Sequence, residues 1–135
     1  MTTINDYLEE IKHKLEFIPA IDTLKIGMEK GIGSKDCPFV RIVPEMNIPS
    51  ENNMCLEGGA EDLVFEVIFG FDVKNVNLEE LYDEYYELEY AIKRELVGGG
   101  YTSGLCRWLH TVTDEDKLMN IKTAISRFEL VGIRL

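Results

Sequence analysis

LVFEVIFGFDV, Leu63–Val73, alternates without a break. Leu63, Phe65, Val67, Phe69, Phe71 and Val73 share one side of an extended chain; Val64, Glu66, Ile68, Gly70 and Asp72 share the other. The first side is wholly apolar and asks for a core. The second is mixed, so it is partly solvated or meets a partner. Gly70 in mid-strand points to a bulge or a close backbone approach.

Downstream, LYDEYYELEYAIKREL, Leu81–Leu96, changes the period to that of a helix. Leu78, Leu81, Tyr82, Tyr85, Leu88, Ile92 and Leu96 form one stripe at 3.6-residue spacing. Tyr82 and Tyr85 therefore read as core. Tyr86 and Tyr90 lie round the flank, either leaning on the sheet edge or serving as interface anchors. Asn77 is the expected N-cap, with Glu80 at the capping-box position. Acids crowd the N-terminal half, and Lys93 and Arg94 lie near the C-terminus, as the helix dipole favours. VGGGYTSG, 97–104, ends the helix.

Upstream runs PEMNIPSENNMCLEGGAED, 44–62, with no Lys or Arg. Prolines, glycines and asparagines predict a long acidic loop at about 44–62, and loops of that length are often functional. It is either a flexible surface loop or a projecting partner arm. Met46, Ile48, Met54 and Leu56 favour burial against another chain. Before it, DTLKIGM (22–28) and FVRIV (39–43) read as short strands, the second closed by Pro44. KGIGSKDCP, 30–38, has the residues of a hairpin connection.

The chain opens with a helix over about Ile4–Phe17, whose stripe is Ile4, Tyr7, Leu8, Ile11 and Leu15. Thr3 caps it with Asp6 three residues on, and Pro19 stops it. Two strands, LCRWLHTV (105–112) and IKTAISRFELVGIRL (121–135), follow the second helix. The order α-β-β-β-α-β-β predicts an α+β fold, with two helices on a mostly antiparallel sheet. At 135 residues it forms one domain, 1–135, long enough to bury a core without staples.

Twenty-five acids against fourteen bases give a net charge of −11. That argues against tight phosphate binding, sequence-specific nucleic-acid recognition and anionic membranes. No segment is long and apolar enough to span a bilayer, and MTTINDYLEE lacks the regions of a signal peptide. Cys37, Cys55 and Cys106 read as free thiols of a reducing cytoplasm.

Candidate chemistry is sparse. Cys106 and His110 alternate with Trp108 on one face of a strand, the elements of a nucleophile pair. Four residues of strand rise separate them by about 13 Å, and no orienting acid or amide is evident. A packed cysteine and a surface histidine are the simpler reading. His13 reads as a polar helix position. TDEDKLMN, 113–120, lacks a central glycine, and counting from Asp114 its twelfth position is Ile125, not Glu, so it reads as a solvated turn. Neither GIGSKD nor VGGGYTSG fits a nucleotide-binding motif. No catalytic, metal or cofactor residue is assigned.

In length and order the chain resembles the tail terminator (tail completion, or neck) proteins of long-tailed bacteriophages. INDYLEEIKHKL, the strands TLKIGM and PFVRIVPE, the long loop, EDLVFEVIFGFDV, the acidic helix LEELYDEYYELEYAIKREL and the closing strands carry the likeness. The resemblance implies a non-enzymatic virion subunit, from phage or prophage, assembled in the bacterial cytoplasm. It implies a homo-oligomeric ring, typically a hexamer, that caps the tail tube and offers the head–tail joining surface. Its partners would be itself, the tube protein and head–neck proteins. In such a ring a negative lumen would let DNA slide without sticking. A head-completion connector, a host-encoded binding module using the tyrosine helix, and a Cys106 enzyme are the alternatives. The tail reading places self-association on the Phe69 strand and the Tyr86 helix. Its candidate interface residues are Tyr86, Tyr90, Ile68, Trp108, Met46, Ile48, Met54 and Leu56. Glu45, Glu51, Glu57, Glu61 and Asp62 are the candidate acids facing the tube or lumen.

Overall fold

The computed structural model describes residues 3–49, 60–73, 77–101, 104–113 and 121–134. Helix α1 (Ile4–Leu15) is followed by β1 (Thr23–Ile26), a 3₁₀ turn at Ser34–Asp36, β2 (Phe39–Pro49) and β3 (Glu61–Asp72). Helix α2 (Leu78–Leu96), β4 (Leu105–Val112) and β5 (Ile121–Ile133) complete it. The five strands form one sheet in the order β1-β2-β3-β5-β4, antiparallel except for β1 with β2. The α+β class and the element order are as the sequence predicts.

The alternation of β3 builds the core. Leu63, Phe65, Val67, Phe69 and Phe71 are buried beneath the helices. On α1, Tyr7, Leu8, Ile11 and Leu15 face them; on α2, Leu81, Tyr85, Leu88, Ile92 and Leu96 do so. Both helices start where their caps dictate. Thr3 and Asp6 form a reciprocal capping box, and Asn77 accepts from the Glu79 N–H at 2.8 Å. Tyr7 ties the chain's end to α1: its hydroxyl donates to the Arg134 carbonyl (2.8 Å) and accepts from the Arg134 N–H (3.0 Å). The stripe on α2 is narrower than expected. Leu78 is exposed and Tyr82 only half-buried.

Three expectations about the strands are corrected. First, β1 and β2 run parallel, so 27–38 is not a hairpin. Twelve residues are enough for the crossover that a parallel pair needs. That connection lies over the sheet face opposite the helices, where Ile32 joins Phe39 and Ile121 in a second small core.

Second, Pro44 does not close β2. The strand continues to Pro49, and β3 already starts at Glu61, so part of the expected 44–62 loop is a two-stranded arm. The Ile42 carbonyl accepts from the Gly27 N–H at 2.8 Å, so Ile42 directs its backbone toward β1. Two residues on, Pro44 directs its nitrogen the same way, past the end of β1, where no donor is needed. A bulge at Glu45 follows. Residues 50–59, with Glu51, Met54, Leu56 and Glu57, lie outside the described residues.

Third, β4 carries a bulge at Leu109. Trp108 pairs with Phe128 on the helix side, whereas His110 pairs with Arg127 on the opposite side. The bulge also lets Trp108 and Thr111, three apart, meet on one face through Nε1 to Oγ1 at 3.0 Å.

Gly70 is explained by a close approach. A Cβ there would lie 2.4 Å from Cε1 of Phe39, and the strand register runs through it unbroken.

Candidate assembly surface

Two groups of exposed apolar residues lie at one end of the sheet, while Phe17, Met28, Leu78 and Val112 are exposed elsewhere. The first is the arm. Past the end of β1, the outer edge of β2 has no partner strand among the described residues. Met46 and Ile48 are exposed and point to the face opposite the helices, since they pair with Val64 and Asp62.

The second is a groove of about 920 Å³ between the C-terminal half of α2 and the edge strand β4. Tyr90, Val97, Leu105 and Trp108 give it an apolar lining, with Lys93 and Arg94 among them. The Lys93 ammonium sits 4.2 Å from the centre of the Trp108 ring, which holds both side chains in place. Gly98 pairs with Cys106 on the outer edge of β4, N to O at 3.0 and 2.9 Å, and closes one end of the groove.

The bases at this end are each matched by an acid. Lys93 meets Glu89 at 3.0 Å, Arg94 meets Glu95 at 3.7 Å, and Arg107 meets Glu129.

The proposed residues separate under this geometry. Tyr86 and Tyr90 are 50% and 63% exposed, and Tyr90 borders the groove. Trp108 is also exposed there. Ile68 is not an interface residue: the 27–38 connection covers it, and it packs on the Ile32, Phe39 and Ile121 cluster. β3 is a central strand with Phe69 fully buried, so its helix-facing side is closed to a partner.

Of the acids, Asp62 is buried and accepts from the Gly132 N–H at 3.1 Å. It caps a strand irregularity and faces no lumen. Glu45 lies 2.7 Å from Nε of Arg127, reaching across β3, although the N–H points off that line. Glu61 accepts from Asn47 within the arm.

Cys106 and His110 are not brought together. The Leu109 bulge puts them on opposite faces, and burial pushes the Cys106 thiol up to about 12. His13 is exposed, with Nδ1 3.2 Å from Glu16. The turn 114–120 lies outside the described residues. Among the described residues, no three His, Cys, Asp or Glu side chains are placed to hold a metal, and no helix is long and apolar enough to cross a membrane.

One ion pair, with its arginine buried, leaves no pattern in the sequence. Arg41 is fully buried and donates from Nε to both Glu29 oxygens (3.0 and 2.8 Å), with Nη2 on Oε1 at 2.5 Å. Its Nη1 reaches the Thr23 and Val40 carbonyls at 3.1 and 2.9 Å. This pair fastens the 27–38 connection to the sheet. Arg41 holds the Glu29 carboxyl down at about 2, mainly by hydrogen bonding.

No family model and no curated protein matches the chain.

Proposed function

We propose that this chain is a structural, non-enzymatic subunit of a phage or prophage tail. It self-assembles into a ring that caps the tail tube and supplies the head-joining surface, as in the tail terminators that its sequence resembles. One observation carries the self-assembly part. The sheet has two dissimilar open sides, a β2–β3 arm with Met46 and Ile48 exposed and an aromatic-lined groove at α2–β4. Unlike surfaces on opposite sides of one subunit make head-to-tail contacts, and these close into rings when the rotation permits. The acidic balance supports the same reading, because DNA must pass such a ring without sticking.

Light scattering over a concentration series, with and without Mg²⁺, tests this. The expected result is a discrete oligomer that binds tail tubes at their ends. A monomer throughout, also with tubes present, would overturn it. The exposure of Tyr86 and Tyr90 favours a second reading, a small binding module that docks a partner on α2. In that case Tyr86→Ser with Tyr90→Ser abolishes partner capture and leaves the oligomeric state unchanged.

A further inference from the structure

We infer that the outer face of α2 in one copy stacks on the 27–38 connection of the next. This inference rests on the ring reading and names the two faces that join.

Unpaired charge identifies the occupant. The outer face of α2 exposes Glu79, Glu80, Asp83, Glu84 and Glu87, and none of these carboxylates meets a base among the described residues. The helix's own bases are taken: Lys93 meets Glu89 and Arg94 meets Glu95. Tyr86 and Tyr90 stand exposed on the same face and line an open hollow of about 450 Å³ with Asp83 and Glu87.

The matching bases are Lys30 and Lys35. Both are exposed on the connection, and neither meets an acid among the described residues. The acids beside them are engaged. Arg41 holds Glu29, and the Asp36 carboxylate accepts from the Gly33 N–H at 2.9 Å. Asp22 lies at the C-terminal end of the connection, beside Pro38. Met28 is exposed on the connection too and offers apolar area to the tyrosines. A lysine ammonium is also attracted to the face of a tyrosine ring. Single exposed ion pairs are worth little, so covering Tyr86 and Tyr90 supplies the affinity and the charges choose the partner face.

The two faces lie back to back. The Tyr85 hydroxyl, in the acidic half of α2, donates to the Thr123 carbonyl at 2.6 Å. Thr123 pairs with Gly70, and Gly70 meets the Phe39 ring of the small core under the connection. The helix face and the connection thus cover opposite sides of the same part of the sheet. Faces that point opposite ways cannot meet each other twice in a two-fold dimer. They make a head-to-tail contact, which each further copy repeats and which closes into a ring when every step turns.

The test reverses each side and then both. Asp83→Lys with Glu87→Lys reverses the helix face, and Lys30→Glu with Lys35→Glu reverses the connection. All four positions are exposed, and circular dichroism and urea midpoints check that the variants fold. Each pair alone should raise the dissociation constant for self-association by at least about tenfold. A chain with all four changes again sets opposite charges across the contact, so it should associate at least as tightly as either pair alone.

If either reversal assembles like the wild type, or the fourfold variant is weaker than both, the stacking contact is wrong while the ring reading stands. A wild-type chain that never associates overturns both. Should a reversal unfold the chain, Asp83→Asn with Glu87→Gln and Lys30→Gln with Lys35→Gln give the same comparison. Each should weaken association, and their combination should cost no more than one of them.

Discussion

A methyl group at Gly70 would collide with the buried Phe39 ring, whose Cε1 lies 2.4 Å from the position of the new atom. The ring belongs to the small core under the 27–38 connection and has little room to move. Gly70→Ala should cost about 1–3 kcal/mol, read from the urea midpoint. The glycine itself was legible in the sequence as a bulge or a close approach. Which of the two it is depends on Phe39, thirty-one residues earlier in the chain, and no local pattern carries that. Arg41 was less legible still. It alternates with Val40 and Ile42 as an ordinary polar position, and only the parallel crossover brings Glu29 over it. The folded pKa of Glu29 is depressed from 4.5 to about 2. Its stabilising contribution is therefore full above about pH 4.5 and is lost as the pH falls toward 2. Glu29→Gln should remove that part of the acid sensitivity in urea melts across pH. At neutral pH it should cost about 1 kcal/mol, discounted because the carboxylate is a third exposed.

At the scale of elements, periodicity predicts the helices and strands wherever one face is continuously apolar, as on the helix-facing side of β3 and the inner faces of α1 and α2. It failed at the two bulges. A bulge shifts the register by one residue and turns every later side chain over, with no change in composition to announce it. Strict alternation places His110 on the face of Cys106, and Pro44 predicts an end to β2 after Val43, six residues short of Pro49. The Leu109 bulge is held by the contacts it creates. Trp108 bonds Thr111, Thr111 meets Ser126 Oγ at 2.8 Å, and Lys93 covers the Trp108 ring. Deleting Leu109 would leave Trp108, His110 and Thr111 opposite Phe128, Arg127 and Ser126, now as a regular strand. The expected outcome in a denaturant titration is a change of no more than about 1 kcal/mol, because no buried side chain loses its place. Asn77→Ala should weaken α2 by about 1 kcal/mol through the lost bond to the Glu79 N–H, measured in the same way.

For the whole molecule, the arm and the groove become related only through the sheet. Met46 and Ile48 were legible as candidates because apolar residues are out of place in a solvated loop. The groove was not legible, because Val97 and Leu105 border glycine turns and Lys93 reads as a helix-end charge. The central claim, that the chain is built to join copies of itself, is tested most directly by the mass of the wild-type particle. Sedimentation velocity over a wide concentration range, with and without Mg²⁺ and tail tubes, should show one closed species. A hexamer would have six times the 15.5 kDa subunit mass. A single 15.5 kDa species under every condition would contradict the account.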